Sequence, residues 1–356
     1  MIALTSLTDL AALPVDDIID VRSPAEFADD HLPGAINLPV LDDEERARVG
    51  TIYKQVSPFD ARRIGAALVA RNAARAIEVT LADKPGGWRP LVYCARGGQR
   101  SGSFATILGQ IGWRVERLEG GYKAWRGLVV RALYDTPVAA PVVVLDGNTG
   151  SAKTELLALM AARGAQIVDL EGLAHHRGSL FGAMGPQPSQ RAFERRLALA
   201  LAALDPTRPV VVEAESAKVG ECRVPPRLWA AMSAAPRLEL RVPVAARAAY
   251  LARAYGDLGA DPARLTATLD QLRPFHPAER IDRWQRMAAD GAHQALAGEL
   301  VQAHYDPRYA RHRARVAVPV TAIEAETLAP DALPALADRL VAALPARSGG
   351  GSGPRA

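Results

Sequence analysis

The residue best suited to covalent chemistry in this 356-residue chain is Cys94. It follows the apolar run 90–93, which predicts a buried strand, and it precedes the glycine-rich loop 95–101. Backbone N–H groups of such a loop, together with Arg96 and Arg100, would surround the sulfur with positive potential. These surroundings favour the thiolate, which is the nucleophilic form of cysteine. We therefore interpret Cys94 as a catalytic nucleophile assisted by Arg96 and Arg100, rather than as a buried, inert cysteine.

A second candidate site is a phosphate-binding loop at residues 147–154. The segment fits the pattern G-x-x-x-x-G-K-[ST] except that Ala152 replaces the second glycine, and its methyl group would crowd the turn. An apolar strand precedes the loop and a helical pattern follows, so backbone N–H groups at the helix start would bind phosphate oxygens. Lys153 would reach the terminal phosphate, and Thr154 would hold Mg²⁺. The predicted phosphate-binding residues are Gly147, Asn148, Thr149, Gly150, Ser151, Ala152, Lys153 and Thr154.

The phosphate loop does not by itself identify its ligand. No segment of the sequence indicates a pocket for a nucleotide base, so a nucleotide, a pyrophosphate ester and nucleic-acid phosphates all remain open. Glu213, at the end of an apolar run, is the candidate acidic partner for a Mg²⁺ ion on Thr154, and Asp169 is its rival. No metal site is certain from the sequence, and no tightly bound cofactor is expected.

Two other segments are candidate ligand-binding regions. Residues 170–182 place two histidines, an arginine and several glycines after a strand, where α/β proteins gather ligand sites. Residues 308–315 form the densest basic run, which is typical of phosphate-backbone contact or of a solvated helix face. The candidate binding residues are His176, Arg177, Gly178, Ser179, Gln190, Glu213, Glu215, Ser216, Arg308, Arg311 and Arg313.

The elements that would position these residues form two successive α/β patterns. Alternating short strands and helices over residues 1–130 predict a small parallel α/β domain, and a proline-bracketed linker follows at 131–141. A second α/β domain with a helical C-terminal part is expected over 142–345. Residues 346–356 are rich in glycine and serine and predict a disordered tail.

Composition excludes several classes of protein. Apolar residues make up 49% of the chain, but no run approaches the ~18 residues of a membrane span, so no membrane partner is expected. The first 13 residues lack the basic region of a secretory signal, and two cysteines do not make a disulfide framework, so we expect a cytoplasmic protein. The net charge of +4 permits a nucleic-acid partner without requiring one.

Four segments in order resemble a rhodanese domain over about residues 1–130. They are Asp20 to Phe27, His31 to Pro39, the Cys94 loop, and Leu118 to Trp125. The resemblance implies a rhodanese-like fold in which Cys94 carries sulfur or selenium as a persulfide-type adduct. By the same reading, Asp20, Arg22, Glu26 and His31 stabilise the domain.

A rhodanese-like domain followed by a P-loop NTPase-like domain is similar to the bacterial tRNA 2-selenouridine synthase family. The segments 94–101, 147–154, 176–182, 213–216 and 304–309 carry this resemblance. It implies a tRNA-modifying transferase that replaces the sulfur of wobble 2-thiouridine with selenium from selenophosphate. The intermediate would be a geranylated 2-thiouridine made from geranyl diphosphate. The partners would then be tRNA, bound at the wobble uridine of the anticodon loop, and a selenophosphate-supplying enzyme.

Two other functions are consistent with the same residues. The first is a rhodanese-type sulfurtransferase with a nucleotide-regulated second domain. The second is an ATP-switched RNA-binding protein with a vestigial rhodanese domain, which the intact Cys94 loop disfavours. The sequence leaves the oligomeric state and the identity of the tRNAs open.

Overall fold

The computed structural model describes residues 1–313 and 317–346, except for the side chains of 312 and 313. The chain divides into two compact units, each with its own core. The first unit contains residues 1–136 together with 188–202, and the second contains 137–187 together with the chain from 203 onward. Parallel sheets flanked by helices in both units confirm the predicted α/β class. The predicted tail lies almost wholly outside the described residues.

A four-stranded parallel sheet in the order β2-β1-β3-β4 forms the centre of the first unit. Its strands are β1 (Asp17–Asp20), β2 (Ala35–Asn37), β3 (Pro90–Tyr93) and β4 (Glu116–Arg117). Its helices are α1 (Pro24–Asp29), α2 (Asp43–Gln55), α3 (Pro58–Val79), α4 (Gln99–Ile111), α5 (Gly121–Val130) and α8 (Gln190–Ala202). Strand β3 is buried along its whole length, as its apolar run predicts, and it delivers Cys94 to the carboxyl edge of the sheet.

The unit boundaries differ from the sequence expectation at two places. Residues 131–135 continue α5 as a π-helical turn rather than forming a linker. Helix α8 belongs to the first unit, although the sequence places it inside the second α/β pattern. Ion pairs hold it there: Arg195 Nε lies 2.6 Å from Asp30 Oδ1, and Glu194 pairs with Arg126. These charge pairs join residues distant in sequence, so no local pattern indicates them.

The second unit has a five-stranded parallel sheet in the order β11-β10-β5-β7-β6. Its strands are β5 (Val142–Gly147), β6 (Gln166–Val168), β7 (Val210–Glu213), β10 (Arg237–Arg241) and β11 (Val320–Glu324), beside a hairpin of β8 (Lys218–Val219) and β9 (Cys222–Arg223). Its helices are α6 (Lys153–Ala162), α7 (Leu170–Ala174), α9 (Pro226–Ala234), α10 (Val244–Ala254), α11 (Gly256–Gly259), α12 (Pro262–Asp270), α13 (Ala278–Ala289), α14 (His293–Leu300), α15 (Asp306–Arg313) and α16 (Leu333–Ala342). Strand β5 lies at the centre, where the order of connection reverses, and ligands of such sheets bind there.

Two apolar clusters stabilise the second unit. One lies between the sheet and the helices α6 and α16, where it buries Leu156, Leu240 and Leu336. The other lies among the C-terminal helices around Trp284 and confirms the helical character expected there. Within the described residues, no helix is both long enough and apolar enough to cross a bilayer.

Candidate functional site

Cys94 lies directly after β3, in front of the N-terminus of α4. Its Sγ accepts a hydrogen bond from the Ser101 hydroxyl at 3.2 Å. Burial would raise the pKa of this thiol, but the Ser101 hydroxyl, the backbone N–H groups of Ser101 and Arg96, and the charge of Arg100 together lower it below its usual value. The side chain is only 4% exposed, so the thiolate is stabilised by protein groups rather than by water.

The backbone of the Cys94 loop is held by the segment that follows β4. Tyr122 N–H donates to Cys94 O at 2.9 Å, and Lys123 N–H donates to Ala95 O at 2.9 Å. A Cβ at Gly121 would lie 2.2 Å from Cys94 O, and the residue has a φ of +57°. Only glycine satisfies both conditions, so this residue fixes how closely the two segments approach.

The two arginines of the loop differ in position. Arg100 donates to Glu26 Oε2 at 2.7 Å, so its guanidinium is held by an ion pair while its charge still acts on Cys94. The Arg96 side chain is exposed, and it is the backbone N–H of this residue that contributes to the thiol pKa. The Glu26 carboxylate also accepts the N–H of Ser23 at 3.3 Å and so completes a capping box at the start of α1.

The phosphate loop connects β5 to α6 at the centre of the second sheet, as its motif predicts. It borders a cavity of about 530 Å³ that is also lined by Arg177 and Glu215. Lys153 Nζ donates to Gly147 O at 3.1 Å across the loop. Burial would lower the pKa of this lysine, but the nearby Tyr309, Glu171 and Asp146 raise it, so the side chain stays charged.

Ala152 adopts a left-handed conformation with φ of 58° and ψ of 27°. This is the position at which the pattern expects glycine, and an alanine there costs roughly 1–2 kcal/mol. The side chain is nevertheless 3% exposed and packs in the core cluster of the sheet. The loop thus keeps the backbone path of the motif at the cost of local strain.

The 304–309 segment supports the phosphate loop from outside. Asp306 accepts hydrogen bonds from Asn148 Nδ2 at 2.8 Å and from Arg247. Arg247 in turn donates to Thr149 O at 3.2 Å. Asp306 and Arg247 are therefore positioning residues for the loop, and sequence analysis did not assign them a role.

The acidic partner of Thr154 is Glu171 rather than the expected Glu213. Thr154 Oγ1 donates to Glu171 Oε2 at 2.8 Å. Glu213 is fully buried, and its Oε1 accepts the Glu171 N–H at 2.6 Å. Burial, reinforced by Glu171 and Asp169, raises the Glu213 pKa well above its usual value, so this carboxyl is neutral and positions α7. Asp169 caps α7 by accepting the Gly172 N–H at 2.7 Å.

A second neutral carboxyl belongs to Glu215. Burial and the neighbouring Glu171 raise its pKa to about 8, although Lys153 opposes the shift. A Cβ at Gly178 would lie 2.5 Å from Oε1 of both glutamates, so this glycine lets the two carboxyls approach the 176–182 segment. At neutral pH, Glu215 is protonated and adds no negative charge to the phosphate cavity.

The 176–182 segment contributes Arg177, Gly178 and Ser179 to the wall of the cavity. His176 Nδ1 accepts the Gly178 N–H at 3.1 Å, and burial lowers the His176 pKa despite nearby carboxylates. Arg177 pairs with Asp257 at 3.1 Å, and Ser179 Oγ lies 3.2 Å from Tyr255 OH. His176 is therefore a neutral residue that shapes the turn, whereas Arg177 and Ser179 line the cavity.

Other predicted binding residues are not among those that line this cavity. Gln190 is part of α8 in the first unit, where its amide donates to Glu194. Ser216 forms a local turn with Lys218. Arg308 lies 4.7 Å from the centre of the Phe275 ring and contacts His304, while Arg311 is exposed. The side chain of Arg313, which was predicted with them, lies outside the described atoms.

The cavity residues that sequence reasoning missed include Glu171, Tyr255 and Tyr309. Glu171 follows β6 at the carboxyl edge of the sheet, and this placement was the available signal. The two tyrosines come from the helical part of the chain. Tyr309 lies in the 304–309 segment that carries the family resemblance, whereas no local motif marks Tyr255. Among the described residues, no group of three or more His, Cys, Asp or Glu side chains is arranged to hold a metal ion.

Comparison with known proteins relates both units to one family. Residues 5–128 match the rhodanese-like domain family, and residues 140–265 match the family described as the tRNA 2-selenouridine synthase AAA domain. The tRNA 2-selenouridine synthase of Chromohalobacter salexigens is 35% identical, with 86% of this chain and 91% of that protein covered. That of Pseudomonas syringae pv. syringae is 34% identical, with the same shares of 86% and 91%. The chain therefore belongs to the tRNA 2-selenouridine synthase family.

Proposed function

We propose that this protein is a tRNA-modifying transferase that replaces the sulfur of wobble 2-thiouridine with selenium from selenophosphate. The observation that carries the proposal is the combination, within one chain of this family, of a cysteine with a lowered thiol pKa and a lysine-bearing phosphate cavity. A chalcogen carrier and a phosphate-binding site are the two devices that the reaction needs. The tRNA is the macromolecular substrate, and an enzyme that supplies selenophosphate is the expected partner.

The phosphate cavity would serve the first step, in which the 2-thiouridine sulfur is geranylated. The sulfur forms a bond to C1 of geranyl diphosphate, the C1–oxygen bond breaks, and diphosphate leaves with the electron pair. The thioamide proton is lost to solvent. Lys153 and the loop N–H groups would bind the diphosphate and stabilise its growing charge, since preorganised cations and N–H groups are effective in this role. Glu215, protonated at neutral pH, would not repel it.

Cys94 would serve the second step, in which selenium replaces the geranylated sulfur. Geranylation makes the sulfur a leaving group, so the selenium of selenophosphate can attack C2, the C2–S bond breaks, and geranylthiol leaves after taking up a proton. Water then cleaves the Se–P bond, which releases phosphate and leaves the selenium on C2. The lowered pKa of Cys94 fits a residue that carries or assists chalcogen transfer as a thiolate. Arg100, which contributes to the low pKa, supports this role by its charge.

Magnesium is the ion that the phosphate cavity would accept. The Thr154 hydroxyl and the Glu171 carboxylate lie 2.8 Å apart and are oxygen ligands of the type Mg²⁺ prefers. A bound Mg²⁺ would neutralise diphosphate charge. Thr154 and Glu171 would hold the ion, and their contacts with it would replace the hydrogen bond between them.

The basic helix α15 is the proposed contact for tRNA phosphates. Arg311 is exposed there, and Arg308 lies over the exposed ring of Phe275. An exposed aromatic ring with a guanidinium beside it is suited to unpaired bases and backbone phosphates.

The test is to incubate the protein with 2-thiouridine tRNA, geranyl diphosphate and selenophosphate, and then to digest the tRNA and weigh the nucleosides. We expect 2-selenouridine and the geranylated intermediate. Lys153→Ala should abolish geranylation, while Lys218→Ala, at an exposed position on the β8–β9 hairpin, should not. An unchanged geranylation rate in Lys153→Ala would reject this use of the phosphate loop. Unmodified tRNA together with sulfur transfer from thiosulfate to cyanide would favour the sulfurtransferase alternative.

A further inference from the structure

An apolar cavity adjoins the phosphate cavity in the second unit. Its volume is about 80 Å³, several times the ~10–15 Å³ that one water molecule occupies, so it is not an ordinary packing defect. It lies among the C-terminal helices, beside the apolar cluster around Trp284. Side chains that line it without touching the phosphate cavity include Phe181, Leu258, Leu265, Leu296, Ala297 and Leu300.

The two cavities share part of their walls. Thr149, Ser179, Leu251, Tyr255 and Tyr305 line both of them. Thr149 is itself part of the phosphate loop, so the apolar cavity begins where the loop ends. A single ligand can therefore place an anionic head on Lys153 and extend a tail among the C-terminal helices.

The composition of the walls selects the type of tail. A nucleobase needs hydrogen-bond partners for its polar edge, because buried polar groups without partners cost free energy. Beyond the shared hydroxyl groups, the apolar cavity offers mainly leucine, alanine and phenylalanine side chains, with His293 as the polar exception. Apolar walls of this kind favour a hydrocarbon group over a polar one.

We propose that the hydrocarbon tail of a prenyl diphosphate enters this cavity while its head occupies the phosphate loop. The proposal rests on the proposed function and deepens it, because it locates the prenyl group within the second unit. It also assigns the phosphate loop to a prenyl donor rather than to ATP or GTP.

Small residues in the wall give the cavity its depth. Ala252, Gly259 and Ala297 line it, and a Cβ at Gly259 would lie 2.9 Å from the His293 ring. A larger side chain at any of these positions would fill space that a tail occupies. The walls thus set an upper limit on chain length, and removing a wall residue should raise that limit.

The experiment measures two affinities by calorimetry, one for geranyl S-thiolodiphosphate and one for inorganic pyrophosphate. Ala297→Phe should weaken binding of the geranyl analogue at least tenfold and leave pyrophosphate binding unchanged, which also shows that the variant is folded. Ala295→Phe is the matched control, because Ala295 is an exposed residue of the same helix α14 and does not line the cavity. Equal geranyl affinity in Ala297→Phe and wild type would overturn the proposal.

Two further measurements make the test independent of that variant. In the wild-type protein, the geranyl analogue should bind with a more negative heat-capacity change than pyrophosphate, since burial of apolar surface has this signature. Phe181→Ala should improve binding of a fifteen-carbon analogue relative to the ten-carbon one. Equal heat-capacity changes for the two wild-type ligands, or no change in chain-length preference, would place the tail elsewhere. If the wild-type protein does not geranylate 2-thiouridine tRNA at all, the proposed function itself is refuted.

Discussion

Asp306 and Arg247 form a bidentate ion pair, in which the carboxylate oxygens lie 2.8 and 2.7 Å from the two terminal guanidinium nitrogens. The side chain of Arg247 is 4% exposed, so Asp306 supplies the counter-charge for a buried guanidinium. Because Asp306 also binds Asn148 and Arg247 also binds Thr149 O, the pair fixes the phosphate loop to the helical part of the unit. The loop and the helices that wall the apolar cavity are thereby held in one arrangement.

Breaking this pair should destabilise the second unit. Asp306→Asn leaves a buried guanidinium without its counter-charge, and we expect a loss of about 2–3 kcal/mol, discounted for the partial exposure of Asp306. Urea unfolding measures the free energy of unfolding, and a pyrophosphate titration measures the affinity of the phosphate loop. We expect both the stability and the affinity to fall. Asp338→Asn breaks a more exposed pair with Arg163 and should cost under about 1 kcal/mol. Equal losses in the two variants would show that the Asp306 pair has no special role.

Replacing Ala152 by glycine should relieve strain in the phosphate loop. The left-handed backbone costs alanine roughly 1–2 kcal/mol, while the lost methyl burial costs about 0.8 kcal/mol. The net change should therefore be a gain of up to about 1 kcal/mol in the free energy of unfolding. Ala162→Gly, at an exposed position within α6, should lose about 0.5–1 kcal/mol. If both variants lose free energy of unfolding, the left-handed backbone at Ala152 is not a source of strain.

The Glu215 carboxyl should make stability depend on pH. Its pKa is about 8 in the folded protein and 4.5 in an ordinary setting. Between these values the unfolded chain releases a proton that the folded chain keeps, so stability falls as the pH rises through this window. One pKa unit corresponds to about 1.4 kcal/mol, so the total is a few kcal/mol at most. Glu215→Gln should flatten the decline measured by urea unfolding from pH 5 to pH 8, and a wild-type slope in the variant would be the contrary result.

Removing the Ser101 hydroxyl should raise the pKa of Cys94. The hydroxyl donates to the sulfur at 3.2 Å, and a hydrogen bond to a charged group contributes about 1.5–3 kcal/mol, so the thiolate should lose stabilisation of about this size and the pKa of Cys94 should rise. Thiolate absorbance in a Cys222→Ala background measures the change at Cys94 alone. Ser103→Ala is the control, because Ser103 is an exposed residue of the same helix α4. If Ser101→Ala titrates like the control, the hydroxyl does not stabilise the thiolate.

Local signals predicted the centre of each unit. The strand–loop–helix order around Lys153 is fixed by residues adjacent in sequence, and the structure confirms it. Helix α2 was missed although Asp42 and Glu45 form its capping box. That signal was present in the sequence and was not used.

Tertiary contacts explain what the sequence could not show. Glu171 meets Thr154 because β6 and β5 end at the same edge of the sheet. Asp306 binds Asn148, although the two residues are separated by more than half of the second unit's sequence. Helix α8 packs in the first unit because it forms ion pairs with Asp30 and Arg126. The apolar cavity arises from four separate segments, so no single stretch of residues marks it.

In the proposed function, the Cys94 thiolate serves selenium transfer, and the phosphate cavity of the second unit serves geranylation. The most direct measurement is the nucleoside content of 2-thiouridine tRNA after incubation of Cys94→Ala with geranyl diphosphate and selenophosphate, beside Cys222→Ala as the matched control. We expect that Cys94→Ala accumulates geranylated 2-thiouridine without 2-selenouridine, and that Cys222→Ala forms both. Formation of 2-selenouridine by Cys94→Ala at the wild-type rate would contradict this expectation.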